Sequence, residues 1–187
     1  MILEMAAQAA ATAAAAGPDA QQAAVYTQEH MKYFFQAMTY AGAFATIGFA
    51  AVGASYGCGV ASASAVGAWK KCYSQNKPAP FQLLVFAGAP LSQVIYGMIV
   101  MFVILGKASA TQAAWMVYVT VGVVGGIALG MSSIWQGIVC AAACDAFAEN
   151  GKGFTNQLMV VGMVETIAIF VMAFSIVLVG QVGAGIL

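Results

Sequence analysis

Glu165 sits in VGMVETIAIFVMAF, residues 161–174, a run that carries no other charge. An ionised carboxylate in the middle of a bilayer costs about 2.5–3.5 kcal/mol on insertion scales, so it must be protonated or paired. Two other stretches hold groups able to meet it. In APLSQVIYG, residues 89–97, a helix would put Gln93 and Tyr96 on one face at i,i+3, with Ser92 beside them. In SSIWQGIV, residues 132–139, Gln136 adds a second amide. Pro90 withdraws a backbone donor and so frees the carbonyl of Phe86 near the same level. A proton needs only the carboxylate and one acceptor. Two amide oxygens, a hydroxyl and a carboxylate also suit a hard cation that prefers oxygen ligands. The Tyr96 hydroxyl can donate to the Glu165 carboxylate and hold it in place. A permanently neutral Glu165 serving only to tie helices together is the plainer alternative.

The rest of the chain must bring these residues to one place. Of its 187 residues 63% are hydrophobic and 6% charged, far from the balance of a soluble globule. Apart from Glu165, every charge lies in the N-terminal segment or in three breaks: Lys70, Lys71 and Lys77; Lys107; and Asp145, Glu149 and Lys152. The charge-free stretches 34–69, 78–106, 108–144 and 153–187 each exceed the ~20 residues that cross a ~30 Å hydrocarbon layer. An all-α membrane protein of four transmembrane helices follows, because a β-barrel would read as short alternating runs. The third turn is expected near 150–151. Gln136 and Glu165 are then each ~22 Å from it at a rise of ~1.5 Å per residue, and share a level close to the bilayer's middle.

The helices form two tandem hairpins that resemble each other. Setting Gln93 on Glu165 gives an offset of 72, which also lays Phe102 on Phe174 and Ile104 on Ile176. A duplicated hairpin accounts for this. The first and third helices are dense in small residues that allow close backbone approach, and predict an inner layer; the bulkier second and fourth predict an outer one facing lipid. Gly42, Gly48, Gly53, Gly57 and Gly59 are too many for one partner face and predict crowding of the first helix from several sides. The division is an Ala-rich N-terminal extension (1–30), a first hairpin (31–106) and a second hairpin carrying Glu165 (107–187). The extension, broken at Gly17-Pro18, is expected to be a short peripheral helix or a loose tail. The lysine excess places the first and third loops on the cytoplasmic side and both termini on the outer or lumenal side.

Other chemistry is poorly supported. All six basic residues are lysines, and without arginine no phosphate-binding or nucleic-acid surface is implied. Cys140 and Cys144 at i,i+4 have the spacing of a metal pair, but no histidine joins them; with Cys58 and Cys72 they read as small apolar filler. The single His30 precedes the first span as an interfacial residue, and no catalytic centre is evident.

Taken in order over roughly residues 40–180, the Gly-rich first helix, P-x-x-Q-x-x-Y, W-Q-G, V-E-T and the duplicated hairpin resemble the proteolipid subunit of V-type rotary ATPases, the membrane rotor c or K subunit. The resemblance implies a homo-oligomeric rotor ring whose fourth-helix Glu carries sodium or a proton. It also implies a stator membrane subunit bearing a cationic residue, and central-stalk subunits leading to an ATP-hydrolysing head. Carried over from the sodium-binding members, the ion's ligands are Glu165, Gln93, Gln136, Ser92 and the carbonyl of Ala89, with Tyr96 as the lock. The family's P-G-T-Q reads P-L-S-Q here: Ser92 keeps the hydroxyl, whereas Leu91 in place of Gly alters packing against a neighbouring helix. The expected cargo is sodium, with protons alone as the alternative. Two rivals from other classes are a small secondary transporter, which the parallel repeat and the single acid disfavour, and a purely structural pore.

Overall fold

The computed structural model describes residue 8 and residues 17–108 and 114–183. Among these the chain is helical, in the order α1 (Pro18–Ser74), α2 (Leu83–Gly88), a 3-10 turn (Ala89–Leu91), α3 (Ser92–Lys107), α4 (Trp115–Asn150) and α5 (Phe154–Gly183). The α2–turn–α3 segment forms one span, Leu83–Lys107, interrupted by the 3-10 turn. With it, four helical stretches are long and apolar enough to cross a membrane: Gln21–Ser74, Leu83–Lys107, Trp115–Asn150 and Phe154–Val182.

The Gly17-Pro18 pair, read above as a break, is the start of α1. Proline at the first turn loses no bond, and Asp19 faces the positive end of the helix dipole. Residues 18–30 are therefore continuous with the first span, and most of residues 1–16 lie outside the described residues. Tertiary packing of α1 begins near Phe34 and Phe35, whose rings lie 5.9 and 6.1 Å from that of Trp115 at the head of α4.

From there α1 and α4 run side by side, in parallel, for the length of the bundle. Small residues make this possible: a Cβ on Gly42 would fall 2.7 Å from Val119 Cα, and one on Gly53 would land on the backbone of Gly130. Further along, Ser64 donates to the Ala141 carbonyl at 2.8 Å, and the Lys71 ammonium meets Glu149 at 3.2 Å. Gly42–Val119, Gly53–Gly130 and Ser64–Ala141 are each 77 residues apart, against the offset of 72 that relates Gln93 to Glu165. The connecting loops reconcile the two. Eight residues separate Ser74 from Leu83 and three separate Asn150 from Phe154, a difference of five, as between 77 and 72. The two hairpins are thus one design with unequal turns. The shorter turn ends α4 on Gly151, whose left-handed φ of 64° lets its N–H bond the Phe147 carbonyl at 2.8 Å. The longer one is pinned by the Trp69 indole N–H donating to Pro80 O at 2.8 Å.

The expected layers are present. Helices α1 and α4 form the inner pair, while α3 and α5 present Ile95, Phe102, Met163, Ile167, Phe170 and Phe174 outward. Phe102 and Phe174, equivalent under the 72 offset, are both exposed. Crowding of α1 is narrower than expected. Gly42, Gly53 and Gly57 meet α4, and Gly97 of α3 packs on Thr46, Ile47 and Ala50, but among the described residues a Cβ at Gly48 or Gly59 would meet no other helix.

A candidate ion site around Glu165

Pro90 creates the site by interrupting the second span. The chain passes from α2 through the 3-10 turn into α3, and the Ser92 amide bonds Ala89 O instead of a carbonyl one residue earlier. The Ser92 hydroxyl turns back onto the same Ala89 oxygen at 3.0 Å and also lies 3.2 Å from Gln93 Oε1. Three oxygens assigned from the sequence, those of Ala89, Ser92 and Gln93, are thereby held together at the break.

From Gln93 the network crosses to α4. The Gln93 amide donates to Gln136 Oε1 at 2.7 Å, and Gln136 Nε2 reaches the Val161 carbonyl of α5 at 3.4 Å. Both side chains are 0% exposed, so in an apolar interior their bonds must be made within the protein. Glu165 lies one turn beyond Val161. Its Oε1 accepts the Tyr96 hydroxyl at 2.7 Å, the hydrogen bond expected between these two side chains. The carboxylate is half-buried, eleven residues into α5 and so ~16 Å from its start. No basic side chain on the described helices is paired with it; the one ion pair found there is Lys71–Glu149 at the loop end.

Two serines join the site that the sequence reading passed over. Ser133, 0% exposed, donates to Pro90 O at 2.7 Å, and Ser132 donates to the carbonyl of Val164, next to Glu165, at 3.1 Å. They looked like part of the small-residue lining of α4. The available signal was spacing, since Ser133 and Gln136 stand at i,i+3 and share a face.

The remaining candidates stay apart from this chemistry. Cys72 and Cys144 place their sulfurs 3.9–4.0 Å from backbone carbonyls, all four cysteines are free, and no group of three or more His, Cys, Asp or Glu that could hold a metal occurs among the described residues. His30 is exposed, its ring 4.1 Å from that of Tyr26. Phe86, whose carbonyl was expected to be freed, is buried in the core at the loop end.

Four apolar spans around a half-buried mid-span carboxylate and a polar network define an integral, multi-pass membrane protein. Residues 119–178 match the family model of the ATP synthase C subunit, a span that takes in Ser132, Ser133, Gln136 and Glu165. The match supports an ion-translocating rotor subunit of an ATPase. No curated protein matches the chain.

Proposed function

We propose that the chain is the membrane rotor subunit of a V-type ATPase, assembled as a ring of identical copies, and that each copy carries one sodium ion on Glu165. The observation that carries this reading is the arrangement of oxygens around the Pro90 break. Ala89 O, Ser92 Oγ and Gln93 Oε1 stand 3.0 and 3.2 Å apart in sequence. Neighbouring oxygens around a small hard cation bound at ~2.4 Å are roughly that far from one another. Gln136 Oε1 adds a fourth oxygen, and the Glu165 carboxylate, turned by Tyr96, supplies the neutralising charge.

The mechanism rests on the cost of a bare charge. An empty, ionised Glu165 is confined to water or to a cationic residue on a stator; loaded, it is neutral and can pass through lipid. Rotation is thus permitted only when the site is filled. Each ion that crosses exchanges about 2.3 kcal/mol per 100 mV of membrane potential, so several sites in succession can be driven by ATP hydrolysis through stalk subunits docked on the cytoplasmic loops. Gln93 stands where the duplicated hairpin would place a second acid, so four helices carry one ion. Fewer ions per turn means more work available for each, which favours pumping over synthesis.

Protons are the alternative cargo. The direct Gln93–Gln136 bond favours it, because the amides satisfy one another and could serve only to orient a protonated Glu165. Labelling of Glu165 by a carbodiimide at fixed pH separates the two. Protection by sodium, and not by potassium at equal ionic strength, is the expected result; labelling indifferent to sodium assigns the site to protons.

A further inference from the structure

We propose that Ser133 is a positioning residue that braces the broken second span and holds the oxygens of Ala89, Ser92 and Gln93 in register with Gln136 and Glu165. The inference rests on the functional reading above for what those oxygens bind, but its geometry stands apart from the identity of the ion.

The second span and α4 are joined at the site by two links, Ser133 to Pro90 O in the 3-10 turn and Gln93 of α3 to Gln136, both 2.7 Å long and buried. On each side the two anchor points are three residues apart. Because α4 runs parallel to α1, and the second span returns antiparallel to α1, positions 90 and 93 advance in one direction while 133 and 136 advance in the other. The links therefore cross. One link alone lets two helices pivot and slide; crossed links oppose sliding both ways.

Ser133 is itself fixed from behind. A Cβ on Gly57 would land on the Ser133 carbonyl oxygen and come within 3.1 Å of Pro90 Cβ, so α1, α4 and the 3-10 turn meet at this point. The turn needs such an anchor, since proline supplies no N–H and the helical ladder is interrupted there. With Pro90 O occupied from the α4 side by Ser133, the preceding carbonyl, that of Ala89, is left on the side of Ser92 and Gln93. Groups that orient ligands without touching the ion commonly change its affinity 10- to 100-fold when removed.

The test compares Ser133→Ala with Ser133→Cys, which keeps a weak donor, in the assembled, membrane-reconstituted protein. Two quantities are read: the sodium concentration that half-protects Glu165 from a carbodiimide, and amide hydrogen exchange over residues 89–96. Ser133→Ala is expected to raise the half-protecting concentration roughly tenfold, leave the labelling rate without sodium unchanged, and speed exchange of 89–96 but not of α5. Ser133→Cys is expected to fall between Ser133→Ala and the unaltered protein. Unchanged exchange of 89–96 in Ser133→Ala overturns the inference whichever ion is carried. Failure of sodium to protect the unaltered protein overturns the sodium reading alone, and the brace is then judged on exchange.

Discussion

Gln93 and Gln136, on helices that belong to different hairpins, bond directly to each other at 2.7 Å with both side chains fully buried. This pair joins the two halves of the duplication at the level of Glu165. Removing one partner strands the other: Gln136→Leu leaves the Gln93 amide without its acceptor, at a cost of about 1–3 kcal/mol. Replacing both by leucine removes the stranded group and should recover most of that stability, while sodium protection of Glu165 stays lost. Thermal unfolding of single and double variants, run beside carbodiimide labelling, checks both halves of the statement.

Tyr96→Phe removes the donor to Glu165 Oε1 and little else. Faster carbodiimide labelling of Glu165 is expected, with stability changed by about 1 kcal/mol or less. Labelling at the unaltered rate would mean that the 2.7 Å bond does not hold the carboxylate.

Gly53 and Gly59 give opposite outcomes for the same substitution. A Cβ at Gly53 collides with the Gly130 backbone, which no rotamer change relieves, so Gly53→Ala should separate α1 from α4 and cost about 1–3 kcal/mol. Nothing lies within 4 Å of a Cβ at Gly59, and there alanine's helix preference should add up to about 1 kcal/mol in the unassembled chain. Urea or heat denaturation in detergent distinguishes them.

Tyr118 is 0% exposed, and among the described residues no group bonds its hydroxyl. It belongs to a buried apolar cluster that includes Ala43, Val100, Ile104 and Val179. Tyr118→Phe removes a desolvated polar atom without emptying the space, so a gain of about 1 kcal/mol is expected, with ion handling untouched. A loss of stability would reveal a partner for the hydroxyl.

Polar residues in an oily chain are conspicuous, which is why Glu165, Gln93, Gln136, Ser92 and Tyr96 could be picked out from the sequence; of their hydrogen bonds Tyr96 to Glu165 was expected, whereas Ser92 to Gln93 and Gln93 to Gln136 were not. The four spans were equally plain, since charge marks every break. Ser132 and Ser133 were hidden because a hydroxyl on a glycine-rich helix is the size of a packing residue, and only the third dimension reveals the carbonyls opposite. The start of α1 was misread for a related reason: a Gly-Pro pair can end one helix or begin another and looks alike in both cases, and Gly17-Pro18 begins one. The offset of 72 stood in the sequence, whereas the register of 77 was out of reach until contacts between α1 and α4 gave it.

The inner seam has one more consequence. Where Gly42, Gly53 and Gly57 meet Val119, Gly130 and Gly137, main chain rests on main chain, and nothing the size of a hydrated ion fits between. The middle of the molecule is no conduit. Glu165 sits on the flank, with Met163 and Ile167 beside it turned outward. On the function proposed above, cargo would board and leave sideways, and a site of that kind would deliver its passenger only if the whole protein moved.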